Sequence, residues 1–246
     1  MRKTTDGASS LESTDDVLNT ALACVYGLLV FAVAAVLVSS AILLVAPSAS
    51  VVVIGVMSAL LAHLAAVYFT LSFLKQKPYW REWLEIRKPT VKSCVDGTFY
   101  GLVLFFGLQV TAYAVNSLTN ASLGSSDTST ALSDSSSTAT LLTLVVFAPF
   151  IVPLVEEITY RGFLRNLLTK FSKGKTGQFI GIAGSSTVFA AAHFQGLGSL
   201  TDAIVLVWTF ALGVVTCALT IKYASIWPAV STHIVYNLMT VVAILA

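Results

Sequence analysis

Two adjacent carboxylates, Glu156 and Glu157, stand in PFIVPLVEEITYRGFL, a stretch otherwise dominated by Phe, Ile, Val, Leu and Pro. Arg161 follows one helical turn after the second carboxylate. Further along, FAAAH places Phe189 one turn before His193, and HIVYN places His233 one turn before Asn237. Side chains four apart share a helix face, and a carboxylate N-terminal to its basic partner is the favourable order, so Glu157 and Arg161 pair locally. Glu156 points about 100° away on a regular helix and must find its partner on another element. If the three faces converge, they gather a carboxylate, two imidazoles, an amide and a supporting ion pair. That set can move protons to and from water and stabilise an oxyanion. Taken singly, Glu157–Arg161 reads as a structural pair and each histidine as a packed side chain. The combination, within one half of the chain, is what points to chemistry. His63 has no polar neighbour three or four residues away and reads as a packing residue.

The elements that must position these groups are set by composition. Of 246 residues, 56% are hydrophobic and only 11% charged, with a mean hydropathy of +0.85. Soluble domains carry roughly a quarter charged residues, and about 20 apolar residues suffice for a spanning helix. The expected fold is therefore all-α, a polytopic transmembrane helical bundle with spans over 17–46, 50–74, 94–115, 141–164, 179–194, 203–221 and 226–246. Ionisable groups at bilayer depth cost roughly 2.5–3.5 kcal/mol each on insertion scales, which is why the few present here carry information. The segment PYWREWLEIRKP, residues 78–89, adds either an eighth, interfacial helix or an ordinary aromatic and basic flank. Gly97–Gly101 and Gly177–Gly181 have GxxxG spacing, which is too common in membrane helices to fix an oligomeric state.

Lys and Arg crowd the connection 75–92, follow residue 164, and recur at Lys222, whereas the 116–140 loop has acids but no bases. With alternating spans these basic connections share one side, so the chain is expected to be an integral, multi-pass membrane protein with a cytoplasmic N-terminus and an external C-terminus. The 116–140 loop is a Ser/Thr tract unable to build a core. It contains a sequon at Asn120-Ala121-Ser122, a match that arises readily by chance. The loop divides the chain into 1–140, a polar tail with three helices and the loop itself, and 141–246, a four-helix core carrying the chemistry. No cleavable signal is expected, because the apolar run after the polar first 16 residues is too long. Cys24, Cys94 and Cys217 lack disulfide or zinc spacing, and Asp96 and Asp202 read as water-facing or capping groups near helix ends.

Glu156-Glu157-x-x-x-Arg161, Phe189-x-x-x-His193 and His233-x-x-x-Asn237, with YRGFL after the glutamates and SIWPAVSTH before the last histidine, resemble the signature of the CAAX protease and bacteriocin-processing family of intramembrane proteases. The resemblance covers roughly 141–245 and implies an endopeptidase. In it, Glu156 and His193 activate the attacking water, His233 and Asn237 stabilise the oxyanion, and Glu157 with Arg161 supports the site. It leaves the metal open: the expectation is no cofactor, with Zn²⁺ on Glu156, His193 and His233 as the alternative, since two His and a Glu are a plausible zinc set but lack the H-E-x-x-H arrangement. The expected partners are the lipid bilayer and a peptide or lipid-anchored protein substrate, with no nucleic acid. A non-catalytic bacteriocin-immunity or scaffold protein and a Glu/His proton-relay transporter are the rival readings, and the latter predicts internal repeats that are not evident.

Overall fold

The computed structural model describes residues 33–34, 36–44, 51–75, 81, 84–119, 143–194 and 199–245. Among these the chain is all-helical, with no strand. Helix α1 spans Val51–Leu74 and α2 spans Val91–Thr119. A continuous helical run follows, made of a π-helix over Thr143–Ile151, α3 over Val152–Glu157, a second π-helix over Ile158–Leu164, and α4 over Arg165–Thr169. Then come α5 (Gly174–Ala192), α6 (Leu200–Tyr223) and α7 (Trp227–Leu245). Two of them, over Val91–Leu118 and Leu200–Tyr223, are long and apolar enough to cross a membrane.

Helix boundaries move outward from several expectations. α2 continues through Thr119, so the first residues expected in the external loop are helical; the remainder of that loop and its sequon lie outside the described residues. α5 begins at Gly174 rather than near residue 179, because GKTGQ, although polar, contains nothing that forbids a helix. The first expected span and the 78–89 segment are only partly described. Asp202 is a cap, as expected: Ser199 and Asp202 form a reciprocal capping box at the start of α6. Asp96 instead ties two helices, meeting Lys92 and the Lys222 and Tyr223 side chains of α6.

The run carrying the glutamates is wound differently from the regular helix assumed in reading its sequence. Pro149 and Pro153 are buried in it and lack N–H donors, and π winding shifts the bonding to five residues, as in Arg165 N–H to Tyr160 O. The carbonyl five residues before Pro153 belongs to Ala148. It accepts instead from the side-chain amide of Asn237 on α7, at 3.1 Å. A break at membrane depth is tolerable when a neighbouring helix supplies the missing donor.

Both GxxxG pairs are used inside the chain. A Cβ at Gly97 would collide with Pro228 O and one at Gly101 with Thr232 O, and Thr232 Oγ1 donates to Gly97 O at 2.9 Å, so α2 lies directly against α7. Gly177 and Gly181 likewise let α5 approach the Arg165–Thr169 turn. These contacts fix α7 and α5, the helices bearing His233 and His193. Between them sits a core of Leu104, Phe105, Tyr160, Leu164, Phe189 and Leu212, completed by Tyr236.

Candidate active site

Glu157 is fully buried, with a basic partner facing each carboxylate oxygen. Its Oε2 lies 3.0 Å from Arg161 Nε, the local pair that the four-residue spacing predicts. The single N–H on that nitrogen donates to Thr216 Oγ1 of α6 at 2.7 Å, and the Thr216 hydroxyl in turn donates to Leu212 O at 2.8 Å. The guanidinium also stacks over the Phe189 ring, 4.2 Å from its centroid. Glu157 Oε1 is 2.8 Å from His233 Nδ1. The carboxylate accepts, so Nδ1 carries the proton and Nε2 turns toward Glu156. The sequence did not reveal this second partner. It makes Glu157 the link between Arg161 and a catalytic candidate.

Glu156, 3% exposed, has no partner of this kind on its own helix. Around its carboxylate stand three imidazole nitrogens: His233 Nε2 at 3.6 Å from Oε2, His193 Nε2 at 3.9 Å from Oε1, and His63 Nε2 at 3.7 Å from the same Oε1. These are longer than hydrogen bonds but within ion-pair range, a separation common before substrate tightens a site. His193 ends α5, where its Nδ1–H donates to Phe189 O at 2.8 Å and leaves Nε2 as the atom facing Glu156. Its side chain is 37% exposed, while those of His63 and His233 are buried, so His193 is the member of the cluster that reaches toward the surface.

Phe189 holds the constellation together. It is fully buried, and its ring meets those of His193, His233 and Tyr160 edge-on, with centroids 4.7, 5.6 and 5.1 Å away. Beneath the site, the segment after residue 84 plugs the helix ends. Leu84 packs on Phe163 and Leu167, Glu85 bridges to Arg165 at 2.8 Å, and Ile226 N–H donates to Glu85 O. Burial pushes the Glu85 carboxyl above its ordinary range, and the Arg165 guanidinium opposes that push. Gly162 in YRGFL allows a close approach, because a Cβ there would stand 3.0 Å from Leu84 O and would have to push that carbonyl back.

The structure thus gathers Glu156, Glu157, Arg161, His193 and His233, and places Asn237 one turn beyond His233 with its amide on Ala148 O. It adds His63, which the sequence reading assigned to packing because its partner lies on a distant helix. The only local signal was an imidazole in an otherwise apolar helix. Among the described residues, no group of three His, Cys, Asp or Glu is arranged to hold an ion.

Residues 138–239 match the family model described as Type II CAAX prenyl endopeptidase Rce1-like. That segment belongs to the CAAX protease family. No curated protein and no solved structure matches the chain. The family is one of membrane-embedded peptidases. The CAAX-protease segment contains all six residues selected from the sequence and excludes α1, α2 and His63.

Proposed function

We propose that the protein is an intramembrane endopeptidase that hydrolyses peptide bonds near the membrane, in the manner of the CAAX prenyl proteases, with 141–246 as its catalytic core. The observation that carries this reading is the contrast between the two glutamates. Glu157 is committed to Arg161 and His233, whereas Glu156 is ringed by imidazoles beside the accessible His193. Glu156, with His193 Nε2, takes a proton from water. The resulting hydroxide attacks the scissile carbonyl, and the oxyanion is stabilised by His233 Nε2, when it carries a proton, and by the second amide N–H of Asn237. The proton then passes to the leaving amine as the C–N bond breaks, giving a carboxylate and an amine. Glu157 and Arg161 orient His233 throughout. No metal enters these steps.

A multi-pass location in the bilayer is supported by the outward stripe Phe99, Val103, Phe106, Val110 and Tyr113 on α2, apolar where a soluble helix would be polar. The Glu85–Arg165 and Asp96–Lys222 contacts join the basic connections to one another, which supports assigning that end of the bundle to the cytoplasm and the C-terminus to the outside. Substrate is a peptide or lipid-anchored protein arriving at that side, and no nucleic acid is involved.

The test is cleavage of a fluorogenic farnesylated CAAX peptide by purified protein before and after rigorous metal removal. Unchanged activity in the stripped enzyme is expected, along with its loss in Glu156→Gln. Activity that disappears with the metal and returns with Zn²⁺ would overturn the metal-free assignment.

A further inference from the structure

We propose that His63 is a positioning residue for Glu156, supplied by a helix outside the CAAX-protease segment. The inference rests on the peptidase reading and extends it to a part of the chain that the family match does not reach. His63 lies in the middle of α1, whose sequence VVVIGVMSALLAHLAAVYFTLSFL has no Lys, Arg, Asp or Glu. Leu60, Ala62 and Ser58 are buried with it, so this side of α1 faces the bundle, where the helix packs on the run bearing the glutamates. Small residues on that side permit the close approach.

The geometry is specific to one oxygen. His63 Nε2 is 3.7 Å from Glu156 Oε1, which is also the oxygen nearest His193. The His63 ring is edge-on to Tyr160, with centroids 5.8 Å apart, which fixes its plane relative to the helix carrying Glu156. At 3% exposure His63 sits behind the carboxylate rather than beside the substrate, so it acts through Glu156. With His233 on Oε2 from one side and His63 on Oε1 from behind, the carboxylate is held in one rotation and Oε1 is aimed at His193 and the water between them. A leucine would suit an apolar helix better and could not do this.

The experiment measures kcat and KM of the full chain on the farnesylated CAAX peptide for His63→Leu, His63→Asn and His63→Gln, beside Glu156→Gln. A glutamine places its amide nitrogen about where the imidazole Nε2 stands, while asparagine is too short. Misplacing a reacting group by about 1 Å costs up to roughly 10²-fold in rate, so His63→Leu and His63→Asn should lose about 30-fold in kcat with KM within about twofold. His63→Gln should return to within about threefold of the parent. Parental kcat in His63→Asn, a KM effect without a kcat effect, or a glutamine variant no better than asparagine would each overturn the proposal. Should His63→Leu fail to fold, the asparagine and glutamine variants, both polar, still decide it. No cleavage by the parent protein sinks the peptidase reading itself. Full activity in Glu156→Gln removes Glu156 as the base and this inference with it, and an inert Glu156→Gln beside an unaffected His63 series sinks only this inference.

Discussion

Glu156 and Glu157 share a peptide bond and nearly the same burial, yet they occupy two different kinds of region. Around Glu157 the contacts are short and enclosed: Oε1 lies 2.8 Å from His233 Nδ1, Oε2 lies 3.0 Å from Arg161 Nε, and Arg161 Nε donates to Thr216. None of these groups is accessible, while Glu157 Oε2 and the two terminal Arg161 nitrogens make no hydrogen bond. Around Glu156 the neighbours are imidazoles at 3.6 to 3.9 Å, one of them partly exposed. A buried charge fixed between two short basic contacts is a structural element, expensive to disturb. A buried charge held at ion-pair range, beside a partly exposed imidazole, has capacity left for a reacting proton. The difference arises because a single helical step sends the two adjacent side chains to different neighbours.

The comparison makes graded claims. Glu156→Gln keeps shape and removes the base, so kcat on the farnesylated peptide should fall by about 10³-fold while the unfolding midpoint stays put, since general-base catalysis contributes roughly 10²–10⁴-fold. Comparable activity in the variant would erase the distinction between the two regions. Arg161→Leu acts on the other side. It strands Glu157 in the core and should cost about 3–5 kcal/mol of stability, read from denaturant unfolding in detergent. An Arg161→Leu protein as stable as the parent would show that Glu157 is not braced as described. Asn237→Ala is the smallest and touches both regions. Leaving Ala148 O without its donor should cost about 1–3 kcal/mol, and a separate fall in kcat would assign the second amide N–H to the oxyanion. Unchanged kcat in the folded variant would confine Asn237 to bracing the proline break.

Much of this was legible in the residues. Helical character and the need for an apolar environment follow from hydropathy summed over long runs, which tertiary contacts seldom reverse. Glu157–Arg161 was legible because its two members are one turn apart, and the pair forms even though Arg161 falls in a π-wound segment. The shift to π winding was not, since two prolines say only that backbone donors are missing, not where the carbonyls they abandon will turn. Asn237 illustrates the gap: its spacing from His233 suggested an oxyanion donor, and its nearest duty is a carbonyl on another helix. Gly97 and Gly101 show it again, as a motif open to dimerisation that is occupied by α7 of the same chain.

The sequence by itself determined an all-helical, apolar chain and the short roll of side chains able to do chemistry, because burying a charge or an imidazole in such a chain is costly enough to stand out residue by residue. Only the tertiary structure decided which of these groups meet. The Glu157–His233 bond and the His63–Glu156 contact join residues on separate helices, and no periodicity within one helix encodes the rotation and depth at which it packs on the next.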